Sequence, residues 1–209
     1  MEKILDIHTH HASPQPEAVI CCSPDNFSPV EGQLYSVGIH PWTVAEGVTD
    51  EIWEKLEEAL SHPQVVALGE CGIDIPKGGM LFKQMQVFKR QIDLSEKLGK
   101  PLIIHNVKAQ DIIIGIKKDL RPTQPWLVHG FRGKPTIAKM FTDAGIYLSF
   151  GEYFNEATIA EIPENYIFAE TDESQLTINQ IIKRISAARC KDLLEIISVN
   201  TSNFLFHKG

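Results

Sequence analysis

A short motif near the start of the chain carries the residue types from which metal sites are built. It runs from Asp6 to His10, directly after an apolar run. Side chains on a strand alternate between two faces, so Asp6, His8 and His10 share one face. Two imidazoles with this spacing can bind the same metal ion. The alternative is a polar strand end with solvated histidines, and the rest of the chain decides between them.

Five further residues that can bind a metal follow later apolar runs. They are His40, Glu70, His105, His129 and Asp172. Taken alone, a histidine at a strand end is more often a hydrogen-bonded structural residue, and an acid more often caps a helix or is solvated. The set favours a shared metal centre if the fold brings these strand ends together.

Apolar runs typical of buried strands alternate with amphipathic helical patterns along the chain. Strands are predicted over 3–8, 18–22, 34–39, 65–68, 101–104, 126–128, 146–150 and 166–169. Nearly continuous apolar strands are typical of a parallel sheet that is buried on both faces. Eight strand–helix units predict a compact α/β fold, a closed (β/α)₈ TIM-type barrel with its active site at the carboxyl ends of the strands. The alternative is a doubly wound open sheet, although the chain has no Gly-rich dinucleotide or phosphate loop.

The helices are predicted from their apolar spacing. The face of the longest one is predicted to consist of Leu81, Met85, Phe88, Ile92 and Leu98. Because 209 residues are few for eight full units, the helices after the first two strands must be reduced to loops. Residues 12–17 are predicted to be a short link that contains prolines.

Length and composition predict a single domain over residues 1–209. The net charge of −7 argues against broad, salt-dependent binding to nucleic acid, but not against a nuclease, because bound metals bring positive charge. No apolar run is long enough to span a membrane, and no signal peptide is recognised. The four cysteines lack metal-binding or disulfide spacing, so we expect reduced core thiols in a cytoplasmic protein. No protein partner is implied.

The ordered motifs resemble those of the TatD family of metal-dependent hydrolases, often described as TatD-type deoxyribonucleases, within the amidohydrolase-like barrels. The matching motifs are Asp-x-His-x-His at 6–10, Gly-x-His-Pro at 38–41, Gly-Glu-x-Gly-Leu-Asp at 69–74 with Ile73 for leucine, a strand ending in histidine at 101–105, His-x-Phe-x-Gly at 129–133 and Glu-Thr-Asp at 170–172. Residues 203–206 are similar to a closing Asn-x-x-Arg-Leu-Phe, with Phe204 and Leu205 where Arg and Leu are usual.

The resemblance implies two divalent metal ions. The implied ligands are His8, His10 and Asp172 for one ion, His105 and His129 for the other, and Glu70 between them. Two ions about 3.5–4 Å apart can clamp a phosphodiester and acidify a bound water. Asp172 and Glu70 are then the expected catalytic residues, with Asp172 also accepting the proton of the water. Mixed imidazole and carboxylate ligands suit Zn²⁺ or Mn²⁺, whereas Mg²⁺ prefers oxygen ligands alone.

Three more residues are expected to surround these ligands. Asp6 and Asp74 are predicted to support metal-bound histidines, which usually donate their second ring nitrogen to a carboxylate or carbonyl. Asp74 is equally well explained as a turn residue before Pro76. His40 lies where the family has a histidine that faces the substrate, although a turn histidine ahead of Pro41 is the alternative.

The departures from the family pattern concern the substrate. The family usually follows the histidine of the fifth strand with a small residue, an arginine and an acid, whereas this chain has Asn106, Val107 and Lys108. An arginine that could hold a phosphate is therefore missing, and Lys108 or Arg132 is the candidate replacement. The segment 10–38 is also short, and Glu173 and Ser174 follow Asp172 where proline is common.

Three functions remain open from the sequence. The first is a metal-dependent phosphodiesterase of the deoxyribonuclease type that acts on nucleic-acid ends, with DNA or another phosphodiester as its substrate. Such an enzyme needs little basic surface. The second is an amide, ester or lactone hydrolase that acts on a small molecule. The third is a metal-binding or scaffold barrel without activity, which the retention of every expected ligand argues against.

Overall fold

Eight parallel strands close into a barrel in the computed structural model, which describes residues 3–11 and 18–206. The strands are β1 Asp6–Thr9, β2 Ala18–Cys22, β3 Leu34–Val37, β4 Val65–Asp74, β5 Leu102–Val107, β6 Trp126–Val128, β7 Ile146–Phe150 and β8 Ile167–Ala169. Each strand pairs with the next in chain order, and β8 returns to β1 through Asp6 and Ala169. The predicted (β/α)₈ barrel is confirmed, and the open sheet is wrong.

Eight α-helices connect the later strands and end the described part of the chain. They are α1 Pro41–Glu46, α2 Asp50–Ser61, α3 Leu81–Leu98, α4 Gln110–Leu120, α5 Pro135–Asp143, α6 Glu156–Glu161, α7 Ile178–Arg189 and α8 Leu194–Leu205. Only a 3-10 turn, Pro24–Asn26, lies between β2 and β3, as the reduced length predicts. The short helices α1 and α6 were not predicted. The link predicted over 12–17 lies outside the described residues.

Two apolar clusters show which side of the sheet faces the barrel interior. Residues from the strands and helices form the larger cluster, which lies between the sheet and the helices. Ile103 and Leu127 belong to the smaller cluster, whereas their neighbours along β5 and β6 belong to the larger one. Since side chains alternate along a strand, His105 and His129, two residues further on, also face inward.

Helix α8 fills the amino-terminal end of the barrel. The ring of Phe204 packs 5.6 Å from that of Phe168 and 5.9 Å from that of Tyr147, in edge-to-face contacts. The amide of Asn200 donates to the carbonyl of Ile167 where β8 begins. The apolar contacts thus close one end and leave the carboxyl-terminal end for polar side chains.

Strand β4 is longer than the predicted 65–68, because it continues through the glycine-containing motif to Asp74. Glycine weakens a strand, so sequence patterns end the strand at Gly69. In the fold these glycines allow close approach of β5: Gly72 has a φ of +136°, and a Cβ there would overlap the carbonyl oxygen of His105. As a result Glu70 lies within a paired strand.

The buried face of α3 differs from the predicted one. Phe88 and Ile92 are buried as predicted, but Leu81 and Leu98 at its two ends are exposed. Instead, Gln84 and Gln91, seven residues or two turns apart, are fully buried on the side that faces the sheet. Helical periodicity of apolar residues gives no signal for such polar positions.

The two glutamines hold the backbone where β3 and β4 end. Gln91 accepts the N–H of Ile39 at 2.7 Å and donates to its carbonyl at 3.1 Å. Gln84 does the same for Asp74, at 2.8 and 3.2 Å. These bonds fix the chain directly before His40 and at Asp74 itself.

The structure tests some of the expectations that were drawn from composition. All four cysteines are free thiols, as predicted, but of the four only Cys71 is buried, whereas Cys21 and Cys22 are half-buried and Cys190 is exposed. No helix in the described ranges combines the length and apolarity that a bilayer crossing requires. The single domain over 1–209 and the cytoplasmic location stay predictions.

We predict that Gln91→Met destabilises the protein. The substitution leaves the buried N–H and carbonyl of Ile39 without partners, and each unpaired buried group costs roughly 1–3 kcal/mol. Urea unfolding followed by circular dichroism measures the change. Gln86→Met, on the exposed side of the same helix, is the matched control and should change stability by less than about 0.5 kcal/mol. Equal stability of the two variants would contradict the role of Gln91.

Candidate metal centre

The fold brings together all seven side chains that were predicted to form a centre. They are His8 in β1, His10 directly after it, His40 after β3, Glu70 in β4, His105 in β5, His129 after β6 and Asp172 after β8. They meet at the carboxyl-terminal end of the barrel, where parallel strands of such barrels present their functional groups.

Glu70 lies at the middle of this group and is only 6% exposed. Its Oε2 atom is 3.6 Å from Nε2 of His8 and 3.5 Å from Nε2 of His10. Its Oε1 atom is 2.5 Å from Nδ1 of His105 and 2.7 Å from Nε2 of His129. Burial acts to raise the pKa of Glu70, but the imidazoles outweigh it and hold that pKa well below its usual value. One ionised carboxylate thus separates two pairs of histidines.

The first pair shares a second carboxylate. Oδ1 of Asp172 lies 3.8 Å from Nε2 of His8 and 3.6 Å from Nε2 of His10. His8 is fully buried, and neither of its ring nitrogens has a hydrogen-bond partner among residues 3–11 and 18–206. Burial lowers the pKa of His8 well below its usual value, so the ring is neutral and keeps a free lone pair.

This arrangement fits a metal ion. A buried polar group without a partner is costly, and a cation bound by the His8 lone pair would remove that cost. The neighbouring atoms of His10, Glu70 and Asp172 are also donors that bind divalent cations.

The second pair is oriented by carboxylates behind it. Nε2 of His105 lies 3.3 Å from Oδ2 of Asp74, which also accepts the indole N–H of Trp42 at 2.7 Å. Nδ1 of His129 lies 3.7 Å from Oε1 of Glu170. Each ring therefore has Glu70 near one nitrogen and another acid near the other, and for His105 the second contact is within hydrogen-bond distance, as is usual for metal-bound histidines.

Glu170 was not singled out from the sequence, although the structure places it in the group. It is fully buried, and its Oε1 accepts the N–H of Gly130 at 2.6 Å. Burial acts to lower the pKa of His129, but Glu70 and Glu170 outweigh it and hold that pKa well above its usual value. The available signal was its position at the end of an apolar run, two residues before Asp172.

His40 combines the two roles between which the sequence left a choice. Its Nδ1 accepts the N–H of Trp42 at 3.1 Å, which caps the start of α1. Its Nε2 lies 3.2 Å from Oε1 of Glu70 and 3.3 Å from Nδ1 of His105. A turn histidine can therefore also face the centre.

Asp6 supports His8 through the backbone rather than through an imidazole. Its carboxylate accepts the N–H of His8 at 3.4 Å, and the N–H and hydroxyl of Thr171 at 3.0 and 2.6 Å. Burial raises the pKa of Asp6 to about 7, although the bonds from Thr171 oppose the shift. These contacts join β1 to the segment after β8, where the N–H of His10 also donates to the carbonyl of Asp172 and the N–H of Asp172 donates to the carbonyl of His8.

Two cationic side chains lie beside the centre. Lys108 and Arg132 are both exposed and line a cavity of about 500 Å³ together with His105, His129 and Asp172. Both side chains therefore lie near the second pair of histidines, and their expected role towards a substrate stays a prediction.

A comparison of sequences decides the family. The sequence model of the family described as TatD related DNase matches residues 30–205. The chain belongs to the TatD family. The match confirms the resemblance seen in the motif order, and it contains Glu70, His105, His129 and Asp172.

Relatives of this TatD-family chain carry hydrolase and nuclease names. It is 32% identical to the uncharacterized metal-dependent hydrolase TatD of Mycobacterium tuberculosis over an alignment of 155 positions, which covers 68% of this chain and 58% of the relative. It is 29% identical over 151 residues to the 3'-5' ssDNA/RNA exonuclease TatD of Erwinia billingiae, again 68% and 58%. The chain thus spans less than two thirds of the length of either relative.

A solved structure confirms the fold of this TatD-family chain. The crystal structure of YJJV, a TatD homologue from Escherichia coli K12, matches with a TM-score of 0.84 and 20% identity, over 99% of both chains. Together with relatives named as metal-dependent hydrolases, the grouped donor atoms support the binding of divalent metal ions.

We predict that Glu70→Gln binds divalent metal less tightly. The amide keeps the shape but removes the charge between the two histidine pairs, so the affinity of metal-stripped protein for Zn²⁺ should fall by more than about tenfold. Calorimetric titration measures this. Glu58→Gln on the exposed side of α2 is the control and should bind as the unmodified protein does. An unchanged Zn²⁺ affinity in Glu70→Gln would show that Glu70 is not a metal ligand.

Proposed function

We propose that this protein is a divalent-metal-dependent phosphodiesterase that hydrolyses nucleic acid strands from an end. One observation carries the proposal: the two oxygens of Glu70 each face a separate pair of histidines. Two ligand groups that share one carboxylate can hold two ions close together, the arrangement used in two-metal phosphodiester hydrolysis. The Erwinia relative, named as an exonuclease for single-stranded DNA and RNA, supports the substrate class.

The proposed ligands follow the two pairs. The residues that would hold one ion are His8, His10 and Asp172, those for the second are His105 and His129, and Glu70 would serve both. When bound, divalent ions would acidify water and stabilise the charge on the attacking and leaving oxygens. The imidazole content favours Zn²⁺ or Mn²⁺ over Mg²⁺.

We assign proton transfer to Asp172. Its side chain is 29% exposed, whereas that of Glu70 is 7% exposed, so Asp172 is the acid of the group that solvent can reach. Asp172 lines two cavities, one together with Lys108 and the other together with Tyr153. Asp74 lies within hydrogen-bond distance of the His105 ring, at 3.3 Å, and helps to orient it, while Glu170 places a second charge 3.7 Å from the His129 ring.

The surface around the centre supports a single strand as the substrate. Trp42 is 46% exposed, its ring lies 4.8 Å from that of His40, and its indole N–H is held by Asp74. Tyr153, 64% exposed, lies on the other side with the guanidinium of Arg132 5.3 Å from its ring centre. Exposed aromatic faces stack on unpaired bases, and a few nearby cations contact their phosphates.

One observation favours a second candidate. Val107 stands where the family usually has an arginine, so a phosphate would find one fewer bidentate partner. An amide, ester or lactone hydrolase that acts on a small molecule would not need that contact. Assays with both substrate classes separate the two functions.

We predict that Asp172→Asn loses activity on a short labelled single strand. The amide cannot accept a proton, so the single-turnover rate should fall about 10²-fold or more. Metal content measured on the same sample separates loss of the base from loss of metal. Asp119→Asn at the exposed end of α4 is the control. A near-normal rate with metal present would assign the proton to another group.

We also predict a shallow salt dependence of strand binding, measured in the inactive Asp172→Asn background. Each phosphate neutralised on a single strand contributes roughly −0.7 to the slope of log affinity against log salt. Lys108→Ala should therefore make the slope less steep by about 0.7, the contribution of one phosphate. Lys89→Ala, exposed on α3, should leave it unchanged. A slope typical of many contacts would contradict a small end-directed pocket.

A further inference from the structure

Cys21 lies at the metal centre, although its sequence context predicted a core thiol. We infer that its sulfur is an additional ligand of the ion at His8, His10 and Glu70, and that it makes this position selective for zinc. The inference rests on the proposed metal centre, and it concerns a residue type that the motifs do not include.

The geometry brings the sulfur within reach of the same ion. Sγ of Cys21 lies 4.0 Å from Oε2 of Glu70, the oxygen that faces His8 and His10. One donor atom from each of these four residues lies within 4.8 Å of every other. Zinc binds with Zn–S of about 2.3 Å and Zn–N or Zn–O of about 2.0 Å, so the donor atoms of a zinc site lie roughly 3–4 Å apart. With Asp172 the ion would have five donors, a number that zinc in catalytic sites can reach. Small side-chain rotations cover the difference.

The strand explains why only one of two adjacent cysteines is placed this way. Cys21 and Cys22 follow each other along β2, so their side chains point to opposite faces of the sheet. Cys22 packs against the apolar cluster between the sheet and the helices, whereas Cys21 approaches Glu70. Substitution of Cys22 is therefore a matched control for substitution of Cys21.

A second observation points to a ligand at this position. His8 is fully buried, and both of its ring nitrogens lack a hydrogen-bond partner among the described residues. Its Nε2 is directed at the oxygen of Glu70 that Cys21 also approaches. A cation placed between these atoms would satisfy the imidazole, the carboxylate and the sulfur together.

The chemistry of the donors gives the expected consequence. When the thiol binds an ion it becomes a thiolate, and its proton is released to solvent. Thiolate donors favour zinc over manganese and magnesium. Within residues 3–11 and 18–206, the donors grouped with His105 and with His129 are nitrogen and oxygen atoms, so the two positions should differ in metal preference.

Cobalt binding tests the inference without an activity assay. Co²⁺ is titrated into metal-stripped protein, and a near-ultraviolet sulfur-to-cobalt charge-transfer band reports thiolate ligation. The band should appear in the unmodified protein and in Cys22→Ser, and should be absent in Cys21→Ser. The Zn²⁺ affinity of Cys21→Ser should fall by more than about tenfold, whereas its Mn²⁺ affinity should stay the same.

A measurement on the unmodified protein avoids any folding defect of the variants. X-ray absorption of the zinc-loaded protein should show a sulfur neighbour at about 2.3 Å. Bound cobalt without the band, zinc without a sulfur neighbour, or a band that survives in Cys21→Ser would each overturn the inference. A band lost in Cys22→Ser alone would also overturn it.

The outcomes also separate this inference from the proposed function. A protein that shows the band but hydrolyses no nucleic acid would support the sulfur ligand and contradict the phosphodiesterase. Hydrolysis of nucleic acid by a protein that binds cobalt without the band would support the phosphodiesterase and contradict the sulfur ligand. If no cobalt binds at all, both the metal centre and the sulfur ligand are contradicted.

Discussion

The buried carboxylate of Glu70 is the constraint on which the rest of the structure depends. An ionised acid in an apolar interior costs several kcal/mol unless partners offset it. Here the imidazoles of His8 in β1, His105 in β5 and His129 directly after β6 lie 2.5 to 3.6 Å from its two oxygens. Strands β4, β5 and β6 are neighbours in the sheet, whereas β1 lies across from them and reaches Glu70 because the sheet closes through β8. The charge of Glu70 is therefore fully compensated only when the barrel is closed.

Polar side chains outside the centre hold the strand ends that carry it. Asp6 joins β1 to Thr171 beyond β8, and Gln84 and Gln91 of α3 replace missing sheet partners at the ends of β4 and β3. All three are buried and bonded to backbone groups, as buried polar groups in stable proteins are. Such bonds lock the backbone in position, so the facing imidazoles need little rearrangement to receive a cation.

The two sides of Glu70 differ in chemistry. One side has Asp172 and the Cys21 sulfur near its histidines, and the other has His40, with Asp74 behind it. The first side therefore combines a solvent-accessible acid with a soft donor, while the second offers mainly imidazoles oriented by acids. In the proposed enzyme this asymmetry gives the two metal positions different affinities, and it places the proton acceptor on one side.

The sequence by itself determined the barrel and most of the centre. Apolar runs mark buried strands, and the spacing of His8 and His10 puts both rings on one strand face, because these are local properties of the backbone. Only the tertiary structure decided the extension of β4 past Gly69, the buried glutamines of α3, and the places of Glu170 and Cys21 near the histidines. Those features depend on contacts between distant segments: glycine is tolerated where β5 comes close, and a glutamine is buried where a backbone group lacks a partner. A local sequence pattern shows neither which strand comes close nor which backbone group lacks a partner.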